Sequence, residues 1–492
     1  MCRMRQTTLS VILTLIGLLL LFTLMSSSVT AQASTLFVAP DGTGTACTQA
    51  HPCALSTALA RAHDGDTLYL AEGRYTGTGA AVITLTKSIT LYGGWDGTAG
   101  GPVARDPDAH PTTLDGENHR RVVYIEGPIN PVLDGLILTN GNATGLGGYS
   151  TVDAGGGVYM RGSRAHINNC VIVGNTSPGG TGGGLFILGS DARVENSLVM
   201  SNTARWGGGA RAVSRSPVFR HNRFISNTAD FGGGLYLMWT TTALVEGNLF
   251  RGNGSSNGGA IYLSAAGATI EGNVVENNRG GLGGGIGINS GGRPVRIWGN
   301  RIWGNRASSG GGIAIVNNRT TRVVNNILAH NTATRRGSGL YLRDAVSALL
   351  HDTIAQNHGG DGAGLFLMRA QAALTNTILV SHTVGISVSV GSTATLEATL
   401  WGSGIWANEH DWGGSGTVLT GTVNVRDDPA FVDPDGGDYH ILPDSAARDA
   451  GVDAGITTDI DGDPRPHGAA PDIGADEFVF WQRSYLPRIL MR

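Results

Sequence analysis

From residue 155 onward, apolar and polar positions alternate in short runs, and the runs recur. Each unit opens with a small-residue triplet followed by an alternating apolar strand. Examples are Gly155-Gly156-Gly157-Val158-Tyr159-Met160, Gly182-Gly183-Gly184-Leu185-Phe186-Ile187 and Gly232-Gly233-Gly234-Leu235-Tyr236-Leu237. The series continues at Gly258, Gly283, Gly310, Gly337 and Gly362. The second half of the unit is a strand closed by asparagine, as in Val245-Glu246-Gly247-Asn248-Leu249-Phe250-Arg251-Gly252-Asn253. The closing residue stands at Asn175, Asn202, Asn227, Asn253, Asn278, Asn305, Asn331 and Asn357, with His382 in the ninth place, spaced 25–27 residues apart. Short period-2 runs bounded by glycine and asparagine are strands. A unit of this length that repeats in tandem is one winding of a solenoid. Leucine-rich repeats of similar period need a leucine frame and a helical segment, and propeller blades need ~40 or more residues. An all-β parallel solenoid fits best, each coil of about 26 residues holding three short strands and three turns.

The asparagines then have a physical task. Each is expected at a sharp bend, because asparagine tolerates left-handed φ/ψ better than other non-glycine residues. Stacked ~4.8 Å apart, their amides would hydrogen-bond along the stack as a ladder. A second column lies five residues upstream: Cys170, Ser197, Asn222, Asn248, Asn273, Asn300, Asn326, Asp352 and Thr377. The glycine triplets are assigned to the third corner, where positive φ or close backbone approach is needed. Upstream, a helix-like stretch from Ala54 to Ala62 lies between two strand-like runs and would cover the open apolar end of the first coil. Asn140 and Asn175 are 35 residues apart, and the excess predicts a loop around Gly145–Asp153. Loops on a rigid solenoid are candidate functional sites.

Composition narrows the class. Glycine is abundant, 77 residues, yet apolar residues reach 41% and the net charge is only −4, which argues against disorder. Lys87 is the single lysine. Nothing supplies the clustered basic stripe that nucleic acid requires. The N-terminus has Arg3 and Arg5, an apolar run from Val11 to Met25 and an A-x-A site at Ala31-Gln32-Ala33. Residues 1–33 therefore read as a secretory signal, the alternative being an uncleaved membrane anchor. In an oxidising compartment Cys47 and Cys53, close together in a turn-rich stretch, are expected to form a local disulfide. Cys170 falls at a repeat position and reads as a buried small apolar residue.

On these repeats, residues 35–425 resemble the right-handed parallel β-helix (pectin-lyase-like) superfamily, and the helix domain is taken as 34–425. The C-terminal stretch carries Asp428-Pro429-Ala430-Phe431-Val432-Asp433, Asp459-Ile460-Asp461-Gly462-Asp463 and Pro471-Asp472-Ile473-Gly474-Ala475-Asp476-Glu477-Phe478. It is similar to the terminal region of bacterial surface β-helix proteins labelled choice-of-anchor Q. Residues 426–478 are accordingly assigned to a cap or anchor-type region and 479–492 to a tail. The resemblance implies secretion or surface display. Any membrane association would run through the N-terminal segment or a C-terminal attachment.

Three sets of residues are candidates for chemistry. Strand alternation points Tyr159, Phe186, Arg211, Tyr236, Tyr262, Gly287, Ala314, Tyr341 and Phe366 outward. The aromatic members would form an exposed stripe for stacking on sugar rings, or would stabilise the sheet as cross-strand pairs. A second outward column is Glu195, Arg220, Glu246 and Glu271, followed by Trp298. Polysaccharide lyases of the superfamily use carboxylates to hold Ca²⁺ and a basic residue to abstract a proton. The four have the right types, though an alternating-charge surface ladder has them too. Asp459, Asp461 and Asp463 form a partial calcium-loop pattern or an Asp-rich turn. The expected function is a secreted or cell-surface protein that binds polysaccharide or acts as an adhesin. The alternative is a lyase or glycoside hydrolase acting on a uronate-rich polysaccharide.

Overall fold

The computed structural model describes residues 33–479. The expected signal segment 1–33 and tail 479–492 lie, but for one residue each, outside the described residues. Thr35 to Val425 wind into a parallel β-helix. One face is a 13-stranded sheet running from Ala81–Leu85 to His410–Gly413. The other two faces are joined at tight turns into a 27-stranded sheet. Rungs stay in register from coil to coil: Tyr236 pairs with Tyr262, Val245 with Ile270, and Phe250 with Val275. Alternation sends Leu235, Leu237, Val245 and Phe250 into a fully buried interior. Burying such side chains contributes roughly 1.5–3 kcal/mol each. Among the described residues no helix is long and apolar enough to cross a membrane.

Two amide ladders run through the turns. Asn227 donates from both its backbone N–H and its Nδ2 to Asn253 Oδ1 at 3.0 Å, and Asn253 does the same to Asn278 at 2.9 and 3.0 Å. The pattern holds from Asn175 to Asn357. At the end of the ladder, Asn357 Nδ2 meets His382 Nε2 at 3.3 Å. The second ladder runs from Asn222 through Asn248, Asn273, Asn300 and Asn326 to Asp352. The backbone expectation needs correction. Positive φ belongs to the residue before each rung (Gly252, Asn277, His330, Asn325, His351), not to the ladder residue itself. The ladder asparagines are required for their side chains, which satisfy buried backbone groups. At the third corner the first glycine of each triplet does carry positive φ, as at Gly258 (+64°), where a Cβ would come within 2.6 Å of Tyr262 Cβ.

The helix Leu55–Arg61 buries Leu55 and Ala58 over the first coil. Lys87 Nζ donates to the carbonyls of Leu59 and Ala62 at 3.1 and 2.5 Å, placing a cation at the helix C-terminus. Cys47 and Cys53 are joined by a disulfide, and Cys170 is buried.

After Val425 the chain enters the region assigned to a cap or anchor. It folds back as a strap along the flank. Phe431, Tyr439, Ile441, Ala447, Ile473 and Ala475 pack on Ile327, Ala329, Ala355, Ile378, Ala398 and Leu400. Hydrogen bonds tie strap to coil: Asn325 Nδ2 to Thr458 O at 2.7 Å, and Asn376 Nδ2 to Val452 O at 2.7 Å. Arg465, fully buried, donates to the carbonyls of Asp472, Gly474 and Ala475, at 2.7, 3.2 and 3.1 Å. Its Nη1 lies 3.4 Å from Glu477. The turn signals of this segment therefore serve docking against earlier coils. The terminal rungs His410–Gly413, Thr417–Thr420 and Asn424–Val425 each pair on one side only.

Candidate functional site

The aromatic stripe is covered, not exposed as expected. Tyr159, Phe186, Tyr236, Tyr262, Tyr341 and Phe366 do leave the interior, but each is buried, none more than 8% exposed. They stack on one another: Tyr159 on Tyr124 at 5.0 Å, Tyr236 on Tyr262 at 5.4 Å, Tyr341 on Phe366 at 6.0 Å. The turns then fold over them. Phe231 lies 5.7 Å from Tyr262, and Tyr149 lies 5.2 Å from Phe186. Tyr149 sits on a hairpin formed by the excess loop, where it pairs with Val152. Arg121 anchors the chain just after this hairpin by donating to Ala154 O at 2.8 Å. Arg211 closes the gap between aromatic groups, stacked over Tyr149 and Tyr236 at 4.9 and 5.0 Å. The sequence signal for this cover was the apolar residue before the corner glycine in Trp206-Gly207, Phe231-Gly232 and Leu282-Gly283.

Glu195, Arg220, Glu246, Glu271 and Trp298 do occupy successive rungs of one outward column. Arg220 sits between two carboxylates, 2.8 Å from Glu246 and 3.6 Å from Glu195. His166 Nε2 approaches Glu195 at 2.9 Å. The Glu246 hydrogen bonds push the guanidinium pKa above its ordinary value, the opposite of what proton abstraction needs. From Glu195 to Glu246 the column is an ion-pair ladder.

Beside it lies an open groove. The adjacent outward column runs in register through Leu244, Thr269, Arg296, Arg322, Ala348, Ala373 and Thr395. Two shallow hollows of about 430 and 560 Å³ share Thr320 and Arg322 and together cover this floor. Thr241 and Thr242, Arg319 and Thr320, then Gln371 and Thr393, form its edge. Seven rungs at ~4.8 Å give a floor of roughly 29 Å. Arg296 and Arg322 are exposed on neighbouring rungs, and Arg296 lies 3.9 Å over the Trp298 ring. These residues escaped sequence reading because single arginines and threonines inside strands carry no motif. Only the register reveals that they line up.

The three aspartates of the calcium-like pattern do not converge. Asp459 is buried, and its carboxylate accepts backbone N–H groups of Asp461, Asp463 and Glu477 at 2.9, 2.8 and 3.1 Å. That is an Asx-type turn, with the oxygens a metal would need already occupied by donors. Asp461 instead turns towards His440.

The family described as right handed beta helix region matches residues 156–328 and 256–400. Among solved structures, pectate lyase Pel9A is 15% identical, with 90% of this chain and 96% of that chain covered at a TM-score of 0.40. No curated protein matches the chain. The chain is thus a parallel β-helix by its in-register rungs, and its residues 156–400 are similar to the right handed beta helix region family.

Proposed function

We propose that the protein is a non-catalytic, secreted or cell-surface β-helix that binds a polysaccharide chain along the Leu244–Thr395 groove. The observation that carries this reading is the continuous, shallow floor with Arg296 and Arg322 exposed on adjacent rungs. The rung spacing is close to the length of one sugar unit in an extended chain, so successive units would meet equivalent backbone positions. Guanidinium forks pair with carboxylates bidentately. Threonine hydroxyls suit sugar hydroxyls, and Ala348 and Ala373 leave room for ring faces. An acidic, uronate-type polysaccharide fits this lining best. The ion-paired state of Glu195, Arg220 and Glu246 favours binding over lyase chemistry.

Affinity electrophoresis through gels containing polygalacturonate, alginate or a neutral glucan tests the reading. The protein should be retarded by the acidic polymers, and Arg296→Ala with Arg322→Ala should remove at least three-quarters of that retardation. Unchanged retardation in the double variant, or none in the parent, refutes the groove. New ultraviolet absorbance from an unsaturated product on incubation with either uronan, with or without Ca²⁺, refutes the non-catalytic assignment.

A further inference from the structure

The strap holds one cluster that neither the groove nor the helix uses. His440, Asp461 and Asp476 bring one ligand-type atom each within 4.8 Å of one another, and no other group of three His, Cys, Asp or Glu does so among the described residues. His440 is buried, 3% exposed, on the strand Asp438–Ile441. Its Nδ1 is held by Asp438, which turns Nε2 towards Asp461. A carboxylate behind the imidazole is the usual second partner of a metal-binding histidine, fixing its tautomer and its aim. Asp461 is placed by the Asp459 turn, through the Asp461 N–H bond of 2.9 Å. Asp476 is 5% exposed. Its Oδ2 accepts Ile441 N–H at 2.8 Å. A carboxylate more than nine-tenths buried thus stands beside a second carboxylate and an imidazole.

We propose that His440, Asp461 and Asp476 form a binding site for one first-row divalent cation, with Zn²⁺ the best match. One imidazole nitrogen and two carboxylate oxygens make a mixed N/O set of the kind that binds Zn²⁺ or Mn²⁺. Ca²⁺ and Mg²⁺ take oxygen ligands, so the imidazole selects against them. Three protein ligands leave a fourth position, and exposed Asp461 gives the ion a way in. The ligands come from three separate parts of the strap: the strand Asp438–Ile441, the turn around Gly462, and the segment after Gly474. The ion would therefore cross-link the strap where it docks on the coils.

Tag-free full-length protein, stripped of metal by chelator and dialysed, is titrated with ZnCl₂ by calorimetry and followed by thermal unfolding. One site per chain is expected, with a rise in unfolding temperature that the same concentration of CaCl₂ does not produce. Asp461→Asn, at an exposed position, and Asp476→Asn should each weaken Zn²⁺ binding at least 100-fold. Asp438→Asn should weaken it 10–100-fold, and Asp463→Asn, outside the cluster, should leave it unchanged. Circular dichroism of each metal-free variant checks that the fold is kept. No heat and no thermal shift at 1 mM ZnCl₂, or undiminished binding in Asp461→Asn, overturns the proposal.

Discussion

Asp352 is a carboxyl in a column of amides, and replacing it with asparagine should stabilise the protein in a pH-dependent way. Asn326 donates to Asp352 Oδ1 from its backbone N–H at 2.8 Å and from Nδ2 at 3.0 Å. Oδ2 is buried and has no hydrogen-bond partner. In the rung below, Asn326 Nδ2 donates to Ile297 O at 3.0 Å, and Ile297 pairs with Val323. An amide at 352 would donate in the same way to the Val323 carbonyl. A protonated carboxyl can imitate it, but a carboxylate cannot. Burial therefore raises the Asp352 pKa from 3.8 to about 7, the hydrogen bonds from Asn326 only partly opposing it.

The folded-state pKa lies above the unfolded one, so the penalty is absent near pH 3. It grows as pH rises past the unfolded value and is complete above the folded one. A shift of about 3 units corresponds to about 4 kcal/mol at pH 8 and to about 2 kcal/mol at pH 5. Asp352→Asn should return most of that amount, with little gain at pH 3. Urea midpoints of parent and variant, measured pairwise at pH 3, 5 and 8, read the global effect. Hydrogen exchange of peptides covering residues 321–357, compared at equal pH so that intrinsic rates cancel, reads the local one. Equal effects at pH 5 and pH 8, or no gain at pH 8, would refute the reasoning.

Other consequences are open to similar measurement. Asn253→Ala leaves the Asn227 donors without their acceptor and should cost about 1–3 kcal/mol per unsatisfied group, while Arg251→Ala, exposed and ion-paired with Glu276, should cost under about 1 kcal/mol; urea denaturation compares them. Tyr262→Ala empties a buried aromatic position and should cost about 3–5 kcal/mol, with glycan retardation unchanged in whatever fraction stays folded. Arg465→Ala leaves Glu477 buried without its cation and should cost about 3–5 kcal/mol, seen as proteolytic release of the strap before the coils unfold.

The coil was legible because its physics repeats. An amide that must sit above the next amide recurs once per winding, and a glycine that must adopt positive φ beside an aromatic side chain recurs with it. The exposure of that aromatic was not legible. Alternation gives the direction of Tyr262, but its cover comes from Phe231 in the preceding coil, and nothing local to the Tyr262 strand reports it. The groove was hidden for a related reason. Arg296 and Arg322 become neighbours only when the register between their strands is known. The strap misled in the opposite way: its conspicuous motif, Asp459 to Asp463, reads as a ligand loop, yet Asp459 spends its oxygens on backbone N–H groups.

Turn length decides which face of this solenoid can serve a ligand. Between Arg251 and Ile261 the chain takes residues 252–260 to return to the 13-stranded sheet. That length lets it double back at Gly258 against Tyr262 and bury the outward column. Between Glu246 and Leu249 only Gly247 and Asn248 intervene, too few to cover anything. The short connection Trp239–Thr242 likewise stays at the edge. The face bordered by these two turns is therefore the one that stays open, whatever side chains it carries. Its charged column resolves into ion pairs where Glu and Arg alternate, from Glu195 to Glu246. Further along, Arg296 and Arg322 follow each other without an intervening acid on their own column, and there the surface keeps positive charge to offer. The proposed binding floor thus lies on the short-turn face, beside the ion-paired column, where Arg296 and Arg322 sit on adjacent rungs with no acid between them.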